Sequence, residues 1–203
     1  MDEKELYAYK MTMPEAQKRN MLKKQVLRDC RFIAVPLTYA DMIEKKTDPA
    51  DPYCHQAGYN EKAGCFFVSI GDRGAMSLRC LSQNPDDIRW YLLEEIITVA
   101  GQQMELDARQ TEEQNWRYKR TYIDGALAFD ENKHWTYNAI HDTRKFWFEY
   151  AIRSLRKVFD EQRLFPYVNE RIDLMNTWFD QPHWDFDWQK MCFVEISNSQ
   201  ERC

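Results

Sequence analysis

Glu94 and Glu95 are an adjacent carboxylate pair that could move a proton. General acid–base work needs both groups to reach one reacting centre. Successive helical residues point about 100° apart, so this pair cannot converge on one atom without distortion. Solvation, or pairing with arginine, is the plainer reading. His134 and His141 lie seven residues apart and could share a helix face. A catalytic zinc takes three protein ligands, and two histidines do not supply them. Six cysteines stand at positions 30, 54, 65, 80, 192 and 203. Cys54-His55 with Cys65 and Cys80 is the nearest thing to a metal cluster, but a structural zinc site has a close Cys-x-x-Cys pair and none occurs. A Cys–His nucleophilic dyad would be sound chemistry, yet no local signature marks any of these thiols. The residues therefore point to no catalytic set, no metal and no cofactor.

Binding chemistry is better represented. From Trp178 to Trp188 aromatics alternate with acids, and Asp180, Trp184, Asp185, Asp187 and Trp188 form a candidate partner-binding surface. Tryptophan is enriched at the energetic centres of interfaces, and the aspartates could meet lysines or arginines of a partner. The alternative is that the aromatics cap a helical bundle while the acids face water. Net charge is -5 and the pI about 5.5. That balance disfavours nucleic acid and suits a basic protein partner, because complementary fields speed association.

Elements must position these residues. Hydrophobic residues make up 44% of the 203 and aromatics 14%, enough for a sizeable core. One domain over 1–203 is expected, with an N-terminal helix and loop (1–64), a core (65–165) and a C-terminal helix with its aromatic and acidic tail (166–203). With 30% charged residues, a mean hydropathy of -0.73 and no apolar run near the length of a membrane span, the chain reads as soluble. Its charged beginning lacks the apolar segment of an export signal, so reduced thiols and a cytoplasmic location are expected.

Met13-Pro14-Glu15 marks a helix start, with Leu22, Val26, Asp29/Cys30 and Ile33 on one stripe. The opposite face carries Lys18, Arg19, Lys23, Lys24 and Arg28, either a basic recognition face or, more simply, a solvated one. Prolines and glycines from 36 to 64 predict an irregular insertion. Cys65–Ile70 predicts a strand, Gly71-Asp72-Arg73-Gly74 a hairpin turn, and Ala75–Leu81 the return strand. Asn84-Pro85-Asp86-Asp87 opens a helix whose stripe is Trp90, Leu93, Ile97 and Ala100, widened by Leu92, Ile96 and Val99. Further helices are predicted from about Met104 to Leu127, from Trp135 to Glu161 on Phe148, Ile152, Leu155 and Phe159, and from Pro166 to Phe179. Met191–Ile196 suggests a short closing strand. The fold class is α+β, mostly helical, with a small antiparallel hairpin or sheet near 65–81 packed against helices.

Three segments in order carry a family resemblance. They are the turn Gly71-Asp72-Arg73-Gly74, the run Trp90-Tyr91-Leu92-Leu93-Glu94-Glu95-Ile96-Ile97, and the polar stretch from Glu105-Leu106 and Arg109 to Asn115-Trp116-Arg117. In this order and spacing they resemble the immunity protein 63 family of bacterial polymorphic-toxin systems. The resemblance covers the middle of the chain well and the N-terminal third loosely. Asn115 stands where the family more usually has an acid. The resemblance implies a protein that binds and blocks a cognate toxin without turnover or cofactor, and it assigns Asp72, Arg73, Gly74, Glu95, Arg109 and Arg117 to the shared motif. At those positions a polar network tying helix to hairpin turn is the favoured role. It leaves the toxin's activity open, and a homodimer is compatible with it. Two other classes stay open: a small cytoplasmic hydrolase using Glu95 or a Cys–His pair, and a non-catalytic adaptor.

Overall fold

The computed structural model describes residues 12–37, 55–72, 75–111, 137–177 and 183–196. Four helices and two small antiparallel sheets occur among them, an α+β fold with a helical majority. The chain forms two compact units, Met1–Ile97 and Thr98–Cys203.

In the first unit, helix α1 (Met13–Ile33) is set by its ends. Thr12 accepts from the Glu15 N–H at its hydroxyl, and the Glu15 carboxylate accepts from the Thr12 N–H at 2.7 Å, a reciprocal capping box. The other Glu15 oxygen accepts from the Glu61 N–H at 2.7 Å, so this buried acid also pins the turn 61–64 to the helix start. At the far end Ala34 adopts a left-handed conformation, with Val35 N–H donating to the Cys30 carbonyl and Ala34 N–H to that of Arg31. This closes the helix as a Schellman motif without its usual glycine. Leu22, Val26, Asp29, Cys30 and Ile33 are all buried, as their spacing predicts.

Strands β1 (His55–Asn60), β2 (Cys65–Asp72) and β3 (Ala75–Ser82) form an antiparallel sheet in that order. The β2–β3 hairpin matches the expectation. β1 does not, because it falls inside the stretch read as irregular insertion. His55-Gln56-Ala57-Gly58-Tyr59-Asn60 has a short, mixed pattern with an internal glycine. The reason for Gly58 is tertiary: a Cβ there would sit 2.6 Å from the Phe67 ring on the neighbouring strand. Five consecutive β2 residues, Cys65 to Ser69, are buried, so both faces of the central strand are covered. The register slips between Val68 and Ser69, where Arg79 of β3 is the extra residue of a bulge.

Helix α2 (Pro85–Thr111) begins as predicted. Asn84 Oδ1 accepts from the Asp86 N–H at 3.1 Å, and Ser82 donates its hydroxyl to Asp87 at 2.6 Å. Ile88, Leu92, Leu93, Ile96 and Ile97 form its fully buried stripe. The helix continues past Met104, where a separate helix was expected, and the unit boundary falls inside it. Most of the expected 104–127 helix lies outside the described residues.

In the second unit, α3 (Tyr137–Leu155) meets the C-terminal part of α2 closely, since a Cβ on Gly101 would lie 3.0 Å from the Tyr150 ring. Ile152 and Leu155 are fully buried, but α3 ends at Leu155 and Phe159 falls in the turn beyond. Helix α4 (Glu161–Thr177) starts earlier than expected. Asp160 accepts from the Arg163 N–H at 2.9 Å, and this cap places Pro166 inside the helix rather than at its start. Burial of Leu164, Tyr167, Val168 and Met175 offsets the lost hydrogen bond. Strands β4 (His183–Asp187) and β5 (Cys192–Ile196) pair antiparallel and pack on α4 and α3 respectively. The expected closing strand is thus β5, and the supposed tail before it supplies its partner.

Candidate functional site

Trp184, Asp185, Asp187 and Trp188 fall together on the β4–β5 hairpin. Alternation decides what each does. Trp184 and Phe186 turn inward, whereas His183 and Asp185 turn out and Asp187 is half-buried. Phe186 meets Phe193 at 5.1 Å between ring centres, and Phe193 meets Phe148 of α3 at 6.2 Å. Lys145 stands over the Trp184 ring at 5.2 Å, and Arg171 over Tyr167 at 4.2 Å. The inward aromatics therefore build the unit's core, and at 8% exposure Trp184 offers a partner little surface.

Helix side chains clasp both outer edges of the hairpin. Asn176 of α4 accepts from the Trp184 N–H at 2.7 Å and donates to the Trp184 carbonyl at 3.0 Å, imitating a neighbouring strand. Glu149 of α3 accepts from the Phe193 N–H at 2.8 Å while its second oxygen pairs with Arg153 at 3.0 Å. Arg153 also donates to the Met191 carbonyl at 2.9 Å. Edge groups held this way are not offered for strand addition at these positions. The outward face is thereby presented on a fixed support.

That face is formed by cross-strand pairs: His183 opposite Ile196, Asp185 opposite Val194, Asp187 opposite Cys192. Ile196 is 50% exposed. At the turn end, half-buried Trp188 stacks on Phe165 at 6.0 Å, and Phe165 is itself exposed. Asp185 is exposed and accepts from the Phe186 N–H at 2.7 Å. Asp187 is the turn's organiser: one oxygen accepts from the N–H groups of Gln189 and Lys190, and the other pairs with the Lys190 ammonium at 3.3 Å. The Lys190 N–H bond, foremost, holds its carboxyl below the usual value against the opposing effect of burial. Sequence reasoning missed Val194 and Ile196, which carry the face's apolar area. Only the strand pairing brings them beside the acids.

The motif positions scatter differently. Asp72 closes β2 opposite Ala75, and Arg109 lies near the end of α2. Arg73, Gly74, Arg117 and Asp180 lie outside the described residues, as do Cys54, Cys203 and His134. Glu95 is half-buried and accepts a hydrogen bond from Tyr91 one turn earlier. Burial, then the Glu95 charge and that bond, push the Tyr91 phenol well above its ordinary range. Among the described residues no three of His, Cys, Asp and Glu gather closely enough to hold a metal ion, and no helix is long and apolar enough to cross a membrane. Compared with protein-family models, curated proteins and solved structures, the chain matches none.

Proposed function

We propose that this chain is an immunity protein that binds a cognate bacterial polymorphic toxin and neutralises it by occlusion. The carrying observation is the outward face of the β4–β5 hairpin, where Asp185, Val194, His183 and Ile196 share one surface. An exposed acid beside aliphatic side chains on a clasped support suits recognition of a basic protein surface. The segments 71–74, 90–97 and 105–117, which in their sequence order resemble the immunity protein 63 family, support the same reading. So does the net charge of -5.

The test is co-expression with the product of the gene immediately upstream, scoring survival and co-purification. Rescue with a stable complex supports neutralisation by binding. Survival without a complex points to an enzyme that reverses the damage, and failure of both sinks the proposal. Asp185→Lys is expected to weaken the complex by about 10-fold or more, as loss of an interface anchor does, whereas Trp188→Ala also removes a ring packed on buried Phe186. Trp184→Ala is a poor probe, because it excavates the core.

A further inference from the structure

Helix α1 segregates its charges in a way that its composition does not require. Six lysines and arginines fall between Met13 and Ile33, against two acids, Glu15 and Asp29. Both acids are buried, at 4% and 5% exposure, and both have partners inside the unit: Glu15 the backbone N–H groups of Thr12 and Glu61, Asp29 the guanidinium of Arg89 and the amide of Gln25. Lys18 lies over the Tyr59 ring at 3.9 Å. Lys24, Arg28 and Arg31 are exposed, and no carboxylate among the described residues pairs with them. On a chain of net charge -5, the charged side chains that this helix itself exposes on its solvent face are therefore all cationic.

The same face carries large apolar side chains. Met21 is 71% and Phe32 68% exposed. They lie eleven residues apart, about three helical turns, so they share one azimuth about 16 Å apart along the crest. Arg28 lies almost on that line between them, while Lys24 and Arg31 flank it on one side. Two protruding apolar groups at equal height with cations beside them fit a planar anionic surface. The crest of a helix meets a plane along a line, so both apolar tips enter together while the cations reach the phosphates.

We propose that the solvent face of α1 is a docking surface for an anionic phospholipid membrane. The attraction is interfacial and reversible: Met21 and Phe32 enter the headgroup boundary, and Lys24, Arg28 and Arg31 supply the charge. It is independent of toxin neutralisation, because it uses a different unit and the opposite charge.

Flotation of the whole protein with vesicles tests it. Vesicles of phosphatidylcholine with about one third phosphatidylserine should carry the protein upward at low salt, and pure phosphatidylcholine vesicles should not. Each charge reversal among Lys24, Arg28 and Arg31 should cut partitioning about 5-fold or more, the worth of a basic residue near such a surface. Phe32→Ser should weaken it at unchanged charge. These side chains are exposed, so unaltered circular dichroism should accompany each variant. Failure to float with the anionic vesicles would overturn the proposal. So would flotation indifferent to these four substitutions. Binding of poly-glutamate at this face without vesicle binding would overturn it in favour of an acidic protein partner.

Discussion

Arg89 and Asp29 join α2 to α1 through a nearly buried ion pair, with side chains 16% and 7% exposed. Burial alone would lower the arginine's pKa, but the hydrogen bonds and charges of Asp29 and Asp86 outweigh it and hold the guanidinium protonated. Removing one partner strands the other charge. Arg89→Ala should cost about 3 kcal/mol in urea unfolding, and replacing Asp29 and Arg89 together with apolar residues should recover most of it. A double variant that loses the sum of the two single losses would show that the pair is not coupled. Asp187 gives a pH signature. Its carboxyl is held below the ordinary 3.8, so its stabilising effect is present above that value and fades as pH falls through its lower folded value. A carboxyl NMR titration should place Asp187 below 3.8, and Asp187→Asn should flatten the acid limb of hairpin stability. A midpoint at or above 3.8 refutes the turn-organising role.

At the scale of elements, local chemistry fixed the starts of α1 and α2. Thr12-Met13-Pro14-Glu15 is a capping box with proline at the second helical position, and Asn84-Pro85-Asp86-Asp87 is a second start signal, with proline at the first position and aspartates at the dipole. These signals act within one turn and are legible without knowing the fold. The end of α1 is less economical. Ala34 holds a left-handed φ of 64°, where a Cβ is a burden. Ala34→Gly should raise stability by about 0.5–1 kcal/mol in thermal or urea unfolding. A loss instead would mean that chain entropy dominates at this cap. β1 was not legible, because its pattern becomes a strand only when Phe67 covers Gly58 and Glu15 grips the following turn. Likewise Pro166 suggested a helix start until the Asp160 cap and buried Leu164 claimed the preceding turn.

Across the whole molecule, charge is distributed rather than uniform. The hairpin of the second unit exposes Asp185 beside apolar groups, whereas α1 of the first unit exposes cations. If the hairpin meets a basic toxin, association should be steered by long-range attraction. The association rate should then fall about 10-fold or more from low to high salt, with dissociation changing less. Stopped-flow mixing at several ionic strengths checks this, and a salt-independent association rate would argue against an acidic contact face.

The sequence alone determined the starts of α1 and α2, the β2–β3 hairpin, the buried stripe of α1 and most of that of α2 (Trp90 and Val99 are only half-buried), and the mostly helical α+β class. These depend on caps, turn residues and periodicity, which act over a few residues. Tertiary structure decided the candidate site. Trp184 and Trp188 look equivalent in sequence, yet Trp184 lies within β4 on its inward face and is buried, whereas Trp188 falls in the turn beyond the strand and stays half open beside Phe165. Asp185 and Asp187 also look alike, but the hairpin turn claims Asp187 for its own N–H groups. Asn176 and Glu149 gave no signal, because their partners are backbone groups of a hairpin in a different element, eight residues away for Asn176 and 44 for Glu149. Side-chain identity sets what a residue can bond, but its neighbours in space decide which of those bonds it makes.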